Sequence, residues 1–188
     1  MAKELQYIFW FVLTQFVTNL VAVLVEKILI MQNYSVYVVN IVLSFGILSA
    51  LFYKMDNSYL KKGVPGVSLL FTIGAVVSLC NGDGFDTYNS AISAAASFAI
   101  TAYCLLFFYW KLVKGTRLSG LTDSALFWII IGLFTYYTGS FFIFISYNFL
   151  IAKEFNSIGI LWRFHNLLLT IFCFYTIYGL TWKNYRKT

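Results

Sequence analysis

Apolar residues run along this chain in long blocks, and charged residues mark the seams between them. Six blocks stand out, at about residues 5–30, 34–53, 65–80, 90–110, 124–150 and 157–182. A helix crossing the hydrocarbon core needs roughly 20 mainly apolar residues, and most of the blocks have that length. The third is shorter. Its start is placed at Pro65, after Lys61, Lys62 and Gly63, because proline is accepted at the first position of a helix, where no internal N–H partner is needed. Strand-type alternation is missing, whereas a barrel would show alternating segments of about 10 residues. The blocks are apolar on nearly every side, so the pattern predicts an all-α polytopic membrane bundle of six transmembrane helices, forming one domain over residues 1–188.

Composition points to the bilayer as solvent. Of the 188 residues, 61% are hydrophobic and 11% charged, against roughly 25% charged in a soluble domain. Such an apolar excess leaves more greasy surface than a soluble fold of this length can bury. The first block opens like a secretory signal peptide, with Lys3 ahead of an apolar stretch. It is too long for one and no small-x-small cleavage site follows, so it is read as a membrane helix.

Basic residues set the expected orientation. Lys3, Lys54, Lys61, Lys62, Lys111, Lys114, Arg117, Lys183, Arg186 and Lys187 fall on one side of the six-span arrangement. Lys27 and Lys153 fall on the other, with Arg163 just inside the sixth span. Lys and Arg accumulate in the cytoplasm, so both termini are expected there. The net charge of +6 is accounted for by these dispersed helix-end anchors against anionic headgroups. Membrane lipid is therefore an expected partner and nucleic acid is not.

Close helix packing in lipid relies on small residues. Ala91, Ala95 and Ala99, and beside them Ser93, Ser97 and Thr101, form two stripes in the fourth span, which is expected to be central. Gly132, Gly139 and Ser146 recur every seven residues in the fifth.

Polar groups inside spans cost free energy, so their positions point most directly to function. Gln15, Asn19 and Glu26 share a stripe in the first span, Asn40 lies about two turns from the outer end of the second, and Asn148 lies near the outer end of the fifth. Arg163, His165 and Asn166 occupy the first turns of the sixth, with Thr170 continuing below them. All are expected in the outer half, and the inner half holds aliphatic and aromatic residues with a few hydroxyls. Gln15, Asn19, Glu26, Asn40, Asn148, Arg163, His165 and Asn166 are therefore the expected lining of a ligand pocket open to the outside, with Glu26 and Arg163 paired. The alternative is structural: Arg163 snorkels, Glu26 pairs with Lys27 or headgroups, and each amide ties helices together at about 0.6 kcal/mol.

Catalytic and cofactor chemistry finds little support. One histidine supplies neither two haem ligands nor a multi-histidine zinc or copper site, and Cys80, Cys104 and Cys173 form no cluster in the sequence. The turn from Asn81 to Asp86 lacks the spacing and glutamate of an EF-hand. No serine sits at a recognisable nucleophile turn where His165 and Glu26 would activate it, and nucleotide-binding signatures are absent. No catalytic residue, metal or cofactor is expected, and the chain is read as a non-enzyme. A pore needs a polar path through the whole membrane, which the inner half does not offer within one subunit.

The segments Asn33-Tyr34-Ser35-Val36-Tyr37 and Leu161-Trp162-Arg163-Phe164-His165-Asn166, with the helix rhythm of most of the chain, resemble small aromatic-rich polytopic membrane proteins of bacteria, especially Bacteroidota. These are mostly uncharacterised, and some resemble the membrane-sensing halves of signalling proteins. Members look like seven-helix proteins, so this chain would lack the first helix, and no functional residue is carried over. The resemblance implies a bacterial inner-membrane sensing or accessory subunit that meets a protein partner at its basic cytoplasmic face. Two alternatives stand beside it. One is a substrate-capturing subunit of a small-molecule uptake transporter, similar in length and helix number to those of energy-coupling-factor transporters but without their first-helix small-residue motif. The other is a homo-oligomeric pore or defence effector.

Overall fold

A computed structural model describes residues 2–30, 32–80, 88–114, 124–152 and 158–185, except for the side chains of Ala2, Lys114, Asn148, Ile151, Ala152, Ile158 and residues 182–185. Among the described residues the secondary structure is entirely helical: α1 (Ala2–Lys27), α2 (Tyr34–Lys54), α3 (Ser58–Cys80), α4 (Ser90–Lys114), α5 (Ala125–Ala152) and α6 (Ile158–Tyr185). All six helices are long and apolar enough to cross a membrane. The turn from Asn81 to Asp86 lies outside the described residues.

Two helix ends differ from the expected ones, each for a local reason. The helical run of α1 stops at Lys27, short of the expected Ile30. Ile30 has φ 53°, a left-handed conformation that a β-branched residue adopts at a cost and that a helix cannot continue through. The start of α3 is Ser58, which puts Pro65 inside the helix instead of at its first position. Asn57 overrides the proline signal, because its Oδ1 accepts the backbone N–H of Tyr59 at 2.9 Å and of Leu60 at 3.3 Å, capping the helix ahead of it. Pro65 then costs one internal bond, the one to the carbonyl of Lys61. Lys61 is exposed, so that carbonyl lies on an open face of the helix.

The chain divides into two compact units, residues 1–96 and 97–188, with the boundary inside α4. In the first unit α2 packs on both α1 and α3. Phe45 and Phe71 stack with ring centroids 4.0 Å apart across the α2–α3 contact. Asn89 fixes the entry to α4: its Oδ1 accepts the Ile92 N–H at 3.0 Å, and its amide donates to Ser78 Oγ of α3 at 2.8 Å.

The second unit is built on the antiparallel hairpin of α5 and α6, and its contacts run the whole length of both helices. A Cβ added at Gly179 would meet the Ala125 carbonyl oxygen at 2.7 Å, and one at Gly132 would meet Tyr175 Cβ at 2.9 Å. Gly139 faces the Leu168 side chain. Phe144 and Trp162 meet at 6.5 Å towards the other end. Two of the three small residues spaced by seven in α5, Gly132 and Gly139, thus face α6, where the missing side chains let the backbones approach. In α4, Ser93 and Ser97 are buried, while Ala91 and Ala95 are exposed.

Candidate functional site

The polar groups singled out in the sequence fall into the two units, and in each unit only some of them join a cluster. In the first, Gln15 on α1 and Asn40 on α2 form a reciprocal amide pair. Asn40 Nδ2 donates to Gln15 Oε1 at 3.2 Å, and Gln15 Nε2 donates to Asn40 Oδ1 at 3.4 Å. Gln15 Nε2 also donates to Ser44 Oγ at 2.8 Å. Thr18 Oγ1 and Ser44 Oγ each donate to Asn40 Oδ1 at 3.2 Å. Both N–H bonds of the Gln15 amide and one of the two on Asn40 are used inside this network. The arrangement holds α1 against α2 and leaves little hydrogen-bonding capacity for a ligand.

Asn19 donates to the Gln15 carbonyl of its own helix at 2.9 Å and is otherwise exposed. The expected stripe therefore splits: Gln15 faces α2, while Asn19 and Glu26 lie on exposed surface. Glu26 Oε2 accepts from Asn33 Nδ2 at 3.3 Å, just ahead of α2.

In the second unit His165 joins α6 to α5. Its Nε2 lies 3.1 Å from Tyr136 Oη, and its Nδ1 lies 3.0 Å from Ser140 Oγ. Tyr136 and Ser140 are four apart and so share a face of α5, which lets one imidazole bridge both. Three aromatic rings enclose it, with centroids at 5.2 Å for Tyr136, 5.2 Å for Phe144 and 6.0 Å for Trp162. Tyr147 packs on Trp162 at 6.1 Å and extends the aromatic wall. Ser140 is 0% exposed, so its hydroxyl meets the imidazole inside the helix contact. What the cluster offers is an ionisable ring held at both nitrogens. Arg163 and Asn166 stand on the exposed face of α6, and Thr170 there donates to the Asn166 carbonyl at 3.0 Å. The Asn148 side chain lies outside the described residues.

Sequence reasoning missed Thr18, Ser44, Tyr136 and Ser140, the hydroxyl partners in both clusters. A signal for them existed: Ser44 follows Asn40 by one helical turn, Thr18 follows Gln15 likewise, and Tyr136 and Ser140 repeat at the same interval. The chain matches no known protein family, no curated protein and no solved structure.

Proposed function

We propose that this protein is a non-enzymatic sensing or accessory subunit of a bacterial inner membrane, with its six helices spanning the bilayer, both termini in the cytoplasm, and the α5–α6 hairpin as its responsive element. One observation carries the reading: the single histidine of the chain is held between two hydroxyls of the facing helix inside an aromatic enclosure. A hairpin built for stability alone would fill that position with an apolar side chain, because an ionisable group in a span is costly and marks function by default. The amide network of α1 and α2, with all but one of its amide N–H bonds used internally, acts as the fixed part. Output passes to a protein partner through the lysine-rich cytoplasmic ends.

The test is amide hydrogen exchange on the purified chain in lipid nanodiscs while pH and small solutes are varied. The reading expects exchange in α5 and α6 to respond to at least one such variable, with α1 and α2 unchanged. A hairpin indifferent to all of them overturns it.

A further inference from the structure

We infer that the ligand taken by the α5–α6 hairpin is a proton, bound at Nε2 of His165, and that its uptake loosens the bridge to Tyr136. The inference rests on reading this hairpin as the responsive element, and it follows from counting the hydrogens in the cluster. A neutral imidazole has one N–H and one lone pair, and two hydroxyls face its two nitrogens at 3.0 and 3.1 Å. A buried serine can turn its own hydrogen back to the carbonyl one turn earlier in its helix, an outlet that a tyrosine hydroxyl lacks. The economical arrangement therefore has Tyr136 O–H donating to Nε2 and Nδ1–H donating to Ser140 Oγ.

Adding a proton from water to the Nε2 lone pair makes both ring nitrogens donors. Ser140 continues to accept. Tyr136, 4% exposed, then has to accept from Nε2 and is left with a hydroxyl hydrogen to place elsewhere. The Tyr137 ring lies 4.9 Å away and the Phe172 ring 6.4 Å away, and the Cys173 thiol beside Tyr136 is only a weak acceptor. No competing charge faces the ring from α5, whose sequence contains no charged residue, and Arg163 of α6 lies on that helix's exposed face. Tyr136, Tyr137 and Tyr147 are the titratable groups on the packed stretch of α5, and Cys173, two turns beyond His165 on α6, faces Tyr136.

Access is short. His165 lies about 10 Å along the axis from the start of α6, at ~1.5 Å per residue. A helix of 28 residues is about 42 Å long, so if α6 is centred on a ~30 Å hydrocarbon core the ring lies ~5 Å below the interface. The imidazole is mostly buried but not sealed, so interfacial water can reach it.

The single histidine makes the test clean. The full chain, labelled with ¹⁵N in histidine and placed in lipid nanodiscs, gives nitrogen signals from one ring. At neutral pH the inference expects Nδ1 protonated and Nε2 bare. Acidification should protonate both while exchange of α5 and α6 amides, corrected for intrinsic pH dependence, rises about fivefold, the factor set by one buried hydrogen bond of ordinary strength. In Tyr136→Phe the rise should vanish over the same pH range, because a protonated Nε2 would have no oxygen to donate to and the ring stays neutral there. If that variant does not fold, the ring signals of the unaltered protein decide alone. A proton on Nε2 at neutral pH, a ring that stays neutral wherever the protein remains folded, an imidazolium with unchanged exchange, or a persistent rise in Tyr136→Phe overturns the inference. A hairpin that ignores pH but responds to a small solute removes the proton while leaving the sensing reading standing; one that responds to nothing removes both.

Discussion

Gly179→Ala tests the closeness of α5 and α6 where backbone meets backbone. The added Cβ would lie 2.7 Å from the Ala125 carbonyl oxygen and 3.0 Å from Trp128 Cβ, whereas ordinary contact begins at 3.4 Å. The shortfall of 3.4 minus 2.7, or 0.7 Å, has to come from moving a helix, because neither neighbour is the free end of a flexible side chain. Overpacking of this kind costs about 1–3 kcal/mol. The usual gain of roughly 0.8–1 kcal/mol from replacing a helical glycine is largely absent in a bilayer, where the separated helices remain helical. Gly74→Ala serves as the control, since nothing lies within 4 Å of its added Cβ. Equilibrium unfolding in bicelles should show Gly179→Ala losing about 1–2 kcal/mol relative to Gly74→Ala. Gly139→Ala should fall between them, because the Leu168 side chain it meets can rotate away. Equal stabilities for Gly179→Ala and Gly74→Ala would refute the close crossing and the reasoning built on it.

Asn40→Ala strips the Gln15 amide and the hydroxyls of Thr18 and Ser44 of their shared partner. It should cost about 1 kcal/mol in the same unfolding assay. Asn19→Leu, which removes only a bond to its own helix among the described ones, should stay within about 0.5 kcal/mol of the parent. Replacing Ile30 by asparagine, which tolerates the left-handed conformation, should stabilise the chain by about 1 kcal/mol. Asn57→Ala removes the acceptor that caps α3 and should lose about 1 kcal/mol, visible as faster amide exchange at Tyr59 and Leu60.

The helices were legible because charge and apolar length are properties of single positions. Charged residues punctuate the chain, and each apolar run between them became one helix. The ends depended on finer chemistry: at α3 the cap at Asn57 acts before the proline does, and Pro65 lies inside the helix as a result. The rotation of each helix about its axis was harder to read. A helix that is apolar on nearly every side has no amphipathic stripe to fix which face turns inward. Gln15 and Asn19 are one turn apart, yet the first is buried against α2 and the second exposed. In the same way His165 turns to α5, while its neighbours Arg163 and Asn166 face away from it. The hydroxyl partners escaped notice for another reason. The chain has 14 tyrosines, and a hydroxyl in a span is cheap because it can satisfy itself on its own helix, as Thr14 and Thr72 do at 2.8 Å.

Everything proposed for α5 and α6 passes through the bond between Tyr136 and His165, and a double-mutant cycle measures it directly. Tyr136→Phe, His165→Leu and the double variant, compared with the parent in lipid bicelles at neutral pH, should show a coupling free energy of about 0.5–1.5 kcal/mol, the range for one hydrogen bond between membrane helices. Strictly additive losses would mean that the two side chains stabilise the hairpin independently, and would contradict a histidine that bridges it.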